Sequence, residues 1–528
     1  MKWILILGVC LQAVLPVSAQ ETNPLQIRIV YPANKQSLPA LDRIFVFGSV
    51  SPPTAAVTVN GLDTPMVRSS TGGWLVMVPL QMGKFAITAR AVLDNGTETP
   101  DVCTDVCRVN VEKSGANGPP QKPVDKGDLA VHKPPEEKMW RPVRYARIYS
   151  DTAYLRSGPN VTPDDQAGYE LPLQKNVLVT LVGQIDKTLH VRLSDLESVW
   201  VDAGYVKLLP KNTPEPQSYI NAWTIRRLPR STLLQTTLQE LLPYRVTLSP
   251  DGRSISIKIY GGISNTDWIH YASDDPWIRQ ARWSHPIRGV YQLDVDLRRP
   301  VWGYDIRYEN FKLILELRDP PPAPAAPVVP SFRKRESTPV VNHLENLKVC
   351  IDPGHPPMGA IGPHGIPEHA VNWQLAVALR DVLINSGAQV VMTRQEGETV
   401  PLPDRSIRAR AAAADLFVSI HTNALAPADN PFEKNGFSVY AFQPFSQLLA
   451  EEVHRAIREQ IPLRDDGLHF GNLHVIRQSY MPAILVECAY LIWPPEEEMI
   501  LDPEFQNRCA MAIASGIRSF MEKRRAED

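Results

Sequence analysis

The sequence predicts a multidomain protein in which an α/β domain, with a mostly parallel sheet covered by helices, is preceded by small all-β modules. Three observations support this prediction. The chain has 528 residues, more than one hydrophobic core usually organises. Two stretches rich in proline, glycine and charge interrupt it, as linkers do. Strand-like patterns dominate before the second stretch, whereas strands and helices alternate after it.

The composition and charge are those of an ordinary globular protein. Hydrophobic residues make up 44% of the chain and charged residues 21%. The formal net charge of −2 provides no overall field that would attract nucleic acid or an anionic membrane surface. We therefore predict no nucleic acid partner, and we expect binding to depend on a local site.

Residues 1–19 have the pattern of a secretory signal peptide. One early lysine precedes an apolar run over residues 3–17, and small residues follow up to Ala19. The run is shorter than the ~20 residues that span a bilayer, which disfavours an uncleaved anchor. We expect an exported protein, in the periplasm, the cell envelope or the extracellular space, with no integral membrane segment after signal cleavage.

Five cysteines remain after the predicted cleavage: Cys103, Cys107, Cys350, Cys488 and Cys509. In an exported chain the pair in CTDVC could close a small disulfide loop. A zinc-ribbon interpretation of that pair is poor because no second Cys/His pair follows at a suitable distance. Cys350 and Cys488 lie in apolar runs, where buried free thiols are the commoner case.

Two predicted linkers, at 113–138 and 319–344, divide the remaining chain into three parts. The first part, 24–112, has short alternating runs with Asn-Gly turns that predict a small β-sandwich. Its segments AAVTVNG and GGWLVMVPLQMGKFAITARAV resemble bacterial immunoglobulin-like modules. We interpret this part as a spacer without a ligand of its own.

The second part divides into two β-rich modules. AYLRSGPN and VWVDAGYVKLL, in residues 139–210, resemble the opening and closing strands of a bacterial SH3-like β-barrel, a kind of module that often binds cell-wall material. Residues 216–318 contain a segment of helical pattern, STLLQTTLQELLPYRV at 231–246, which is followed by alternating strands. This module resembles the β-rich domain that precedes the catalytic domain in some exported amidases.

Residues 345–522 alternate between strands and helices. The predicted strands are almost wholly apolar, as in a parallel sheet with helices on both faces. Ligands of such sheets bind at the carboxyl ends of the strands. The strands are LKVCID, AQVVMTR, LFVSIHTNA and AILVECAYL, and the helices are AVNWQLAVALRDVLINSG, DRSIRARAAAA, FSQLLAEEVHRAIREQ and NRCAMAIASGIRSFMEKRR.

Four ionisable residues lie at strand ends or at a helix start of this domain: His355, Glu368, His421 and Glu487. Each alone is weak evidence, since a strand-end histidine is often structural and a glutamate at a helix start is often a dipole partner. Together they supply the two imidazoles and one carboxylate of a catalytic zinc site, with a second carboxylate left as base. The residues alone do not decide which glutamate is the ligand.

Family resemblance assigns these roles. IDPGHPPMGAIGPHGIPEHAVNWQLAVAL, VVMTR, ADLFVSIHTNA and MPAILVECAYL occur in the order typical of the zinc-dependent N-acetylmuramoyl-L-alanine amidases of the type 3 catalytic family, which the chain resembles. The resemblance implies one Zn²⁺ held by His355, Glu368 and His421, with Glu487 catalytic. It also implies hydrolysis of the amide between N-acetylmuramic acid and the L-alanine of the peptide stem in peptidoglycan.

The chain departs from that family at three places. Ala411 to Ala414 stand where an asparagine is usual. ECAYLIW stands where a Gly-Phe and a Ser-Asn pair are common, and Pro356 and Pro357 replace glycines after the first histidine. The prolines stiffen that loop. The departures put the substrate contacts near Trp493 in doubt, but no predicted metal position is lost.

Further predictions concern the surroundings of the site. Asn423 is a candidate substrate-binding residue, and Asp352 either fixes its loop or orients a ligand histidine through a hydrogen bond. Only 66 positions separate His421 from Glu487 (487 − 421). We therefore predict that the interval holds no built-in helix that covers the metal.

The sequence leaves other functions open. A catalytically silent peptidoglycan-binding or regulatory protein could have the same fold, although the four retained residues argue against it. A zinc hydrolase could also cleave a bond within the peptide stem. The expected partner is peptidoglycan, with an envelope activator protein as a further candidate, and the expected role is cell-wall remodelling or daughter-cell separation.

Overall fold

The structure is a computed structural model that describes residues 24–39, 41–61, 66–108, 136–159, 168–323, 344–357 and 359–527. The predicted signal peptide and most of both predicted linkers lie outside these residues. The chain forms two compact units, one comprising the residues up to Glu112 together with Pro363–Gly365, and the other comprising the rest. No helix in the described part is long and apolar enough to cross a membrane.

The first unit contains two four-stranded sheets and one apolar core. Its strands are β1 (Gln26–Tyr31), β2 (Gln36–Leu38), β3 (Arg43–Ser51), β4 (Ala56–Val59), β5 (Met66–Arg68), β6 (Gly73–Pro79), β7 (Gly83–Val92) and β8 (Val102–Arg108). The strand orders are β1-β3-β6-β5 and β2-β8-β7-β4. Side chains from both sheets fill the core, in which Trp74 is fully buried.

Cys103 is an exposed free thiol, so the disulfide loop with Cys107 that the sequence left open does not form. Both residues lie on β8, where each residue advances the chain by about 3.3 Å. Four such steps separate the two Cα atoms by about 13 Å, well beyond the roughly 4.4–6.8 Å that a disulfide spans. The buried free thiols predicted at Cys350 and Cys488 are confirmed.

The second unit begins with one seven-stranded antiparallel sheet around its own core. The strands are β9 (Lys138–Ile148), β10 (Thr152–Arg156), β11 (Tyr169–Gln174), β12 (Leu178–Ile185), β13 (Thr188–Arg192), β14 (Ser198–Asp202) and β15 (Val206–Leu208), with a short 3-10 helix at Ala203–Tyr205. Their order is β11-β10-β14-β13-β12-β9-β15.

Three further sheets follow and enclose another apolar core. Their strands are β16 (Ser218–Ile220), β17 (Trp223–Leu228), β18 (Ser231–Thr237), β19 (Tyr244–Leu248), β20 (Ser254–Tyr260), β21 (Gly262–Ser264), β22 (Ile269–His270), β23 (Ile278–Ile287), β24 (Val290–Leu297), β25 (Gly303–Glu309) and β26 (Lys312–Arg318). The orders are β16-β21, β22-β17-β18-β26-β25 and β19-β20-β24-β23.

The helix predicted over 231–246 is wrong, because the segment forms β18 and the start of β19. β18 lies between β17 and β26 in the interior of a sheet. Its consecutive side chains are buried on both faces, so leucines whose spacing suggests a helical stripe instead fill a buried strand. Pairing with two neighbouring strands outweighs the local preference for a helix.

The last part of the second unit contains a six-stranded sheet and five α-helices. The strands are β27 (Lys348–Pro353), β28 (Gln389–Met392), β29 (Leu416–Asn423), β30 (Phe437–Ala441), β31 (Asp465–Phe470) and β32 (Ala483–Tyr490). The helices are α1 (Glu368–Asn385), α2 (Leu402–Ala411), α3 (Gln447–Gln460), α4 (Pro494–Leu501) and α5 (Pro503–Glu527), with short 3-10 helices at Pro444–Ser446 and His474–Ile476.

Helices cover both faces of this sheet. Val349 and Ile351 of β27 pack with residues of α1, α3 and α5 in one apolar cluster. The intervening Cys350 points to the opposite face and packs in a second cluster that includes Ala409 of α2. Because successive strand residues point to opposite faces, an apolar strand indicates burial on both sides.

The strand order is β28-β27-β29-β32-β30-β31, and four of the five neighbouring pairs are parallel. β27, β29 and β32 therefore end at one edge of the sheet, here called the carboxyl edge, and start at the opposite amino edge. The register places His421 of β29 directly opposite Glu487 of β32. Two of the predicted site residues are thus neighbours across a strand pair.

The amino edge is packed against the β-rich part of the same unit. Trp302 donates its indole N–H to the carbonyl oxygen of Asp415 at 3.1 Å, and Arg318 donates to that of Tyr480 at 3.0 Å. A Cβ on Gly303 would lie 2.4 Å from the Tyr480 oxygen, so this close backbone approach requires glycine. These buried contacts join residues on both sides of the second predicted linker.

Candidate metal centre

His355 lies on the loop that follows β27. Its ring Nδ1 is 3.2 Å from the carbonyl oxygen of Pro357, which can only accept. The Nδ1–H therefore donates to that oxygen, and Nε2 keeps its lone pair for another partner. A Cβ on Gly354 would lie 2.3 Å from the ring of His421, so glycine allows the first loop to approach the second histidine.

Arg405 is only 2% exposed, and its guanidinium holds the backbone of this loop. It donates to the carbonyl oxygens of Pro353, His355 and Pro356 at 2.8, 3.2 and 2.9 Å. A rigid fork of donors matches several carbonyl oxygens at once, which fixes the path of the chain. α2 thereby positions His355 without touching its ring nitrogens.

Asp352 is buried beneath the loop and bonds to three side chains. It accepts a hydrogen bond from Arg405 at 2.8 Å, from the Thr393 hydroxyl at 2.5 Å and from the Ser419 hydroxyl at 2.8 Å. These contacts join the loop to β28, α2 and β29. They favour the loop-fixing role among the two that the sequence allows for Asp352.

Glu368 is the first residue of α1, and it is only 4% exposed. The positive end of the helix dipole favours a carboxylate at this position. Its Oε2 accepts a hydrogen bond from the backbone N–H of Ala360 at 2.9 Å and lies 3.3 Å from Nε2 of His355. Its Oε1 lies 3.2 Å from Nδ1 of His421. The carboxylate therefore stands between the two imidazoles.

The structure brings the three predicted ligands together. One donor atom from each of His355, Glu368 and His421 lies within 4.8 Å of the others. The two imidazole rings are 5.0 Å apart and nearly perpendicular. Two imidazoles and a carboxylate form a recognised donor set for catalytic zinc, and they leave a coordination position open for water or substrate.

The three groups polarise one another. Burial alone would raise the pKa of Glu368, but its contacts with the imidazoles of His355 and His421 outweigh burial and hold that pKa well below its usual range. Burial alone would lower the pKa of His421, but the hydrogen bond to Glu368 and the charge of Glu487 raise it. The site thus stabilises the ionised carboxylate of Glu368 next to two imidazoles, which can carry a positive charge.

Glu487 differs from Glu368 in having an incomplete set of partners. Its Oε2 is buried and has no hydrogen-bond partner among the described residues. Burial raises its pKa to about 7, against an opposing effect of His421 and a reinforcing effect of Glu368. A buried polar atom without a partner is rare, and a catalytic role or an ion or water that belongs at the site is among its explanations. The metal and its water fit this position.

Asn372 is a member of the site that the sequence analysis did not identify. It is fully buried on α1, one turn after Glu368. Its Nδ2 donates to Oε1 of Glu368 at 3.1 Å and to the carbonyl oxygen of Gly354 at 3.3 Å, and its Oδ1 accepts from the Thr422 hydroxyl at 3.3 Å. The signal was available, since an asparagine four residues after a candidate ligand lies on the same helical face.

Asn423 is the last residue of β29 and is only half-buried. Its Oδ1 accepts a hydrogen bond from the N–H of Ala424 at 2.8 Å, and its carbonyl oxygen accepts one from Leu491 at 3.0 Å. The structure therefore places Asn423 at the carboxyl edge, where its side-chain oxygen already accepts a hydrogen bond from the next residue. Its predicted substrate contact stays a prediction.

The interval between His421 and Glu487 is described throughout and contains one α-helix, α3. A Cβ on Gly516 of α5 would lie 2.4 Å from Cα of Val453, which shows how closely the two helices pack. The apolar side chains of α3 belong to the core on one face of the sheet. The helix is thus part of the core packing of this domain.

Comparison with known proteins identifies relatives of this part of the chain. Residues 349–519 match the model of a family described as N-acetylmuramoyl-L-alanine amidase. The chain is 32% identical over 183 residues to the probable cell wall amidase LytH of Staphylococcus epidermidis, covering 34% of this chain and 60% of that protein. It is 30% identical over 182 residues to the uncharacterized protein YqiI of Bacillus subtilis, covering 34% of this chain and 87% of that protein.

A solved structure is also similar. The N-acetylmuramoyl-L-alanine amidase AmiC2 of Nostoc punctiforme is 35% identical, with 33% of this chain and 97% of that chain covered and a TM-score of 0.31. The match to LytH spans less than two thirds of that protein. All three relatives thus correspond to about one third of this chain.

Proposed function

The chain belongs to the N-acetylmuramoyl-L-alanine amidase family through residues 349–519, and from this membership we propose that it is an exported, zinc-dependent hydrolase of peptidoglycan. The bond cleaved is the amide between the lactyl group of N-acetylmuramic acid and the L-alanine of the peptide stem. The role is cell-wall remodelling or separation of daughter cells.

The observation that carries this proposal is the pairing of a three-donor cluster with an unpartnered carboxylate. The donor atoms of His355, Glu368 and His421 lie within 4.8 Å of one another. Glu487 lies opposite His421 across adjacent strands and keeps one oxygen without a partner. An amide hydrolase needs both an electrophilic centre and a separate base, and these two features supply them.

His355, Glu368 and His421 would hold the zinc ion. When bound, zinc polarises a carbonyl oxygen and lowers the pKa of water. The chain's own residues fix this chemistry in place, since Arg405 holds the loop of His355 and Asn372 holds Glu368. Such supporting hydrogen bonds orient metal ligands and strengthen binding.

Glu487 would act as the base and then as the acid. With a pKa near 7, its carboxylate accepts a proton from the attacking water and returns it when needed. The water oxygen bonds to the lactyl carbonyl carbon, and the carbon–nitrogen bond of the amide breaks. The proton held by Glu487 passes to the departing nitrogen, so the products are a muramyl carboxylate and a free L-alanyl stem.

The test is digestion of peptidoglycan by the purified full chain, with soluble products identified by mass spectrometry. We expect stem peptides that begin with L-alanine, released with zinc and lost after chelation. Glu487→Gln should reduce the rate by about 10²–10⁴-fold, the usual contribution of a positioned acid or base. The control Glu459→Gln, which removes an exposed carboxylate from α3, should retain the rate.

Other outcomes would replace the proposal. Stoichiometric zinc without any product would favour the catalytically silent binding or regulatory protein. Zinc-dependent cleavage inside the stem would keep the hydrolase and change the bond. Dependence of the rate on an added envelope extract would indicate the activator protein that the sequence analysis considers.

A further inference from the structure

Two aromatic side chains form a rim beyond the carboxyl edge of the sheet. Phe432 lies in the segment after β29, and its side chain is 36% exposed. Trp493 follows β32 and is half-buried. Their ring centroids are 5.4 Å apart and the rings are nearly perpendicular. We refer to this pair as the aromatic rim.

The backbone under Trp493 is fixed. Its N–H donates to the carbonyl oxygen of Tyr490 at 3.0 Å, and its own carbonyl oxygen accepts from the N–H groups of Glu496 and Glu497, each at 2.9 Å. Trp493 is thus the residue at which α4 starts. A side chain on such a helix start is held on a rigid element, as a binding contact requires.

The segment that carries Phe432 is also held by its own hydrogen bonds. The Phe432 N–H donates to Oδ1 of Asn430 at 3.1 Å, and the Lys434 ammonium bonds to Asp429 at 2.6 Å. Asn435 donates to the carbonyl oxygen of Pro431 at 3.1 Å. These polar groups bond within the segment, while the Phe432 ring remains partly exposed.

The aromatic rim lies on the two segments that follow the strands of the proposed active site. β29 carries His421 and β32 carries Glu487, so each ring follows a strand with a site residue near its carboxyl end. Trp493 is six positions after Glu487 (493 − 487). The N–H of Leu491 donates to the carbonyl oxygen of Asn423 at 3.0 Å, which keeps the two strand ends together up to the rim.

We propose that the aromatic rim binds the sugar ring of N-acetylmuramic acid in the substrate. This inference rests on the proposed function and names the part of the substrate that the rim contacts. The lactyl group links the scissile carbonyl to the sugar through a short ether bond, so the sugar must lie close to the reacting atoms. The rim lies at the same edge of the sheet as those atoms.

Chemistry favours the sugar over the peptide stem. A pyranose ring presents C–H groups on its faces, and these pack against the electron-rich face of an aromatic ring with loss of apolar surface to water. A peptide stem carries carboxylates that require a cation. Lys434, the cation next to Phe432, is paired with Asp429. The rim therefore offers an apolar contact, and the ammonium of Lys434 beside it is already paired.

One residue of the aromatic rim, Trp493, distinguishes this chain from the family it resembles. The family often has a Ser-Asn pair where this chain reads Ile492 and Trp493. A tryptophan in place of a small amide exchanges hydrogen bonding for a large apolar surface.

The experiment compares two substrates that share the scissile bond. One is an N-acetylmuramoyl-L-alanyl peptide, and the other is the matching D-lactoyl-L-alanyl peptide without the sugar. Phe432→Ala should lower kcat/KM for the first roughly threefold to tenfold, the expected value of one aromatic contact. It should leave kcat/KM for the second unchanged, and Phe432→Tyr should restore the first.

Phe470→Ala is the matched control. Phe470 is a 75% exposed phenylalanine of the same domain, and it ends β31 at the amino edge. This variant should change neither substrate. Equal losses by Phe432→Ala on both substrates would show a structural role and overturn the inference, as would no loss on the sugar-containing one.

Failure of the proposed function has a different signature. If the wild-type chain cleaves neither substrate, the hydrolase itself is wrong. Calorimetric titration with a glycan that contains N-acetylmuramic acid but no stems then tests the rim alone. Weaker binding by Phe432→Ala than by Phe470→Ala would uphold the sugar contact, and equal binding would overturn it.

Discussion

The two edges of the six-stranded sheet each carry a buried carboxylate. The two carboxylates differ in whether both of their oxygens have hydrogen-bond partners. At the amino edge, Asp415 is 1% exposed and both of its carboxylate oxygens are engaged. Oδ2 accepts from the N–H of Lys348, and Oδ1 accepts from Arg230, each at 2.9 Å. At the carboxyl edge, Glu487 keeps a buried oxygen without a partner.

This difference in partners indicates that the carboxylate at the amino edge stabilises the fold, whereas the carboxylate at the carboxyl edge is available to react. A buried charge whose partners are complete holds elements together, since removing either side leaves the other uncompensated. A buried carboxylate with an incomplete set resists ionisation and is ready to exchange a proton. The amino edge thus joins the β-rich part to the sheet, whereas the carboxyl edge keeps the groups that would act on a substrate.

The largest expected effect follows loss of a ligand at the carboxyl edge. His421→Ala should lower zinc affinity by more than the roughly 10–100-fold that loss of a supporting partner costs, and activity should fall with it. Metal content by atomic absorption and rate after dialysis check this. The control is His454→Ala, which removes a histidine of α3 that is paired with Asp465. This variant should retain full zinc occupancy.

Next comes loss of the buried charge at the amino edge. Asp415→Ala should lower the free energy of unfolding of the second unit by about 3 kcal/mol, because the Lys348 amide and the Arg230 guanidinium lose their acceptor and the buried Arg318, 4.0 Å away, loses its counter-charge. Guanidinium titration measures the change. Zinc affinity of the folded variant should equal that of the wild type, and a parallel loss of zinc would contradict the division between the edges.

An effect of similar size and opposite sign is expected at Glu487. Burial raises its pKa to about 7 in the folded protein, above the ordinary value of about 4.5, so the folded state holds a proton that the unfolded state releases between these values. Stability of the metal-free protein should therefore fall as pH rises through this window.

Glu487→Gln should remove this penalty. At pH 8 it should stabilise the metal-free protein by roughly 3 kcal/mol, from about 2.5 pKa units (7 − 4.5) at 1.36 kcal/mol each, and near pH 4 the gain should vanish. Unfolding titrations at the two pH values provide the test. An equal change at both values would show that the effect does not come from ionisation.

The smallest expected effect concerns Asn372, which supports a ligand at the carboxyl edge. Asn372→Ala should lower zinc affinity about 10–100-fold, since Glu368 loses a donor that orients it. Competition with a chelator of known affinity measures this. Asn385→Ala, at the exposed far end of the same helix, should have no effect on zinc affinity.

Much of the last domain could be predicted because its local signals agree. α1 runs over Glu368–Asn385, close to the apolar helical pattern, and Gly387 with a φ of +94° follows its end. The strands that contain His421 and Glu487 lie where the apolar runs predict them. The same rule that ligands gather at strand ends selected the four residues of the proposed site.

Other features depend on contacts that no local pattern reveals. The segment 231–246 has helical spacing, yet pairing with β17 and β26 makes its first half a buried strand. The role of Arg405 follows from carbonyl oxygens about fifty positions away in the chain. A single sequence does not show which distant atoms a buried guanidinium will meet.

The sequence by itself determined the residue types of the proposed site and the elements that carry them, because apolar periodicity and strand ends are local properties. Only the tertiary structure decided which atoms lie within 4.8 Å, which oxygen of Glu487 has no partner, and that Asp415 is fully bonded. Those facts depend on strand order and register, which bring together residues far apart in the chain. Local sequence patterns thus predict the candidate groups, and long-range packing determines which of these groups keep an atom without a partner and can react.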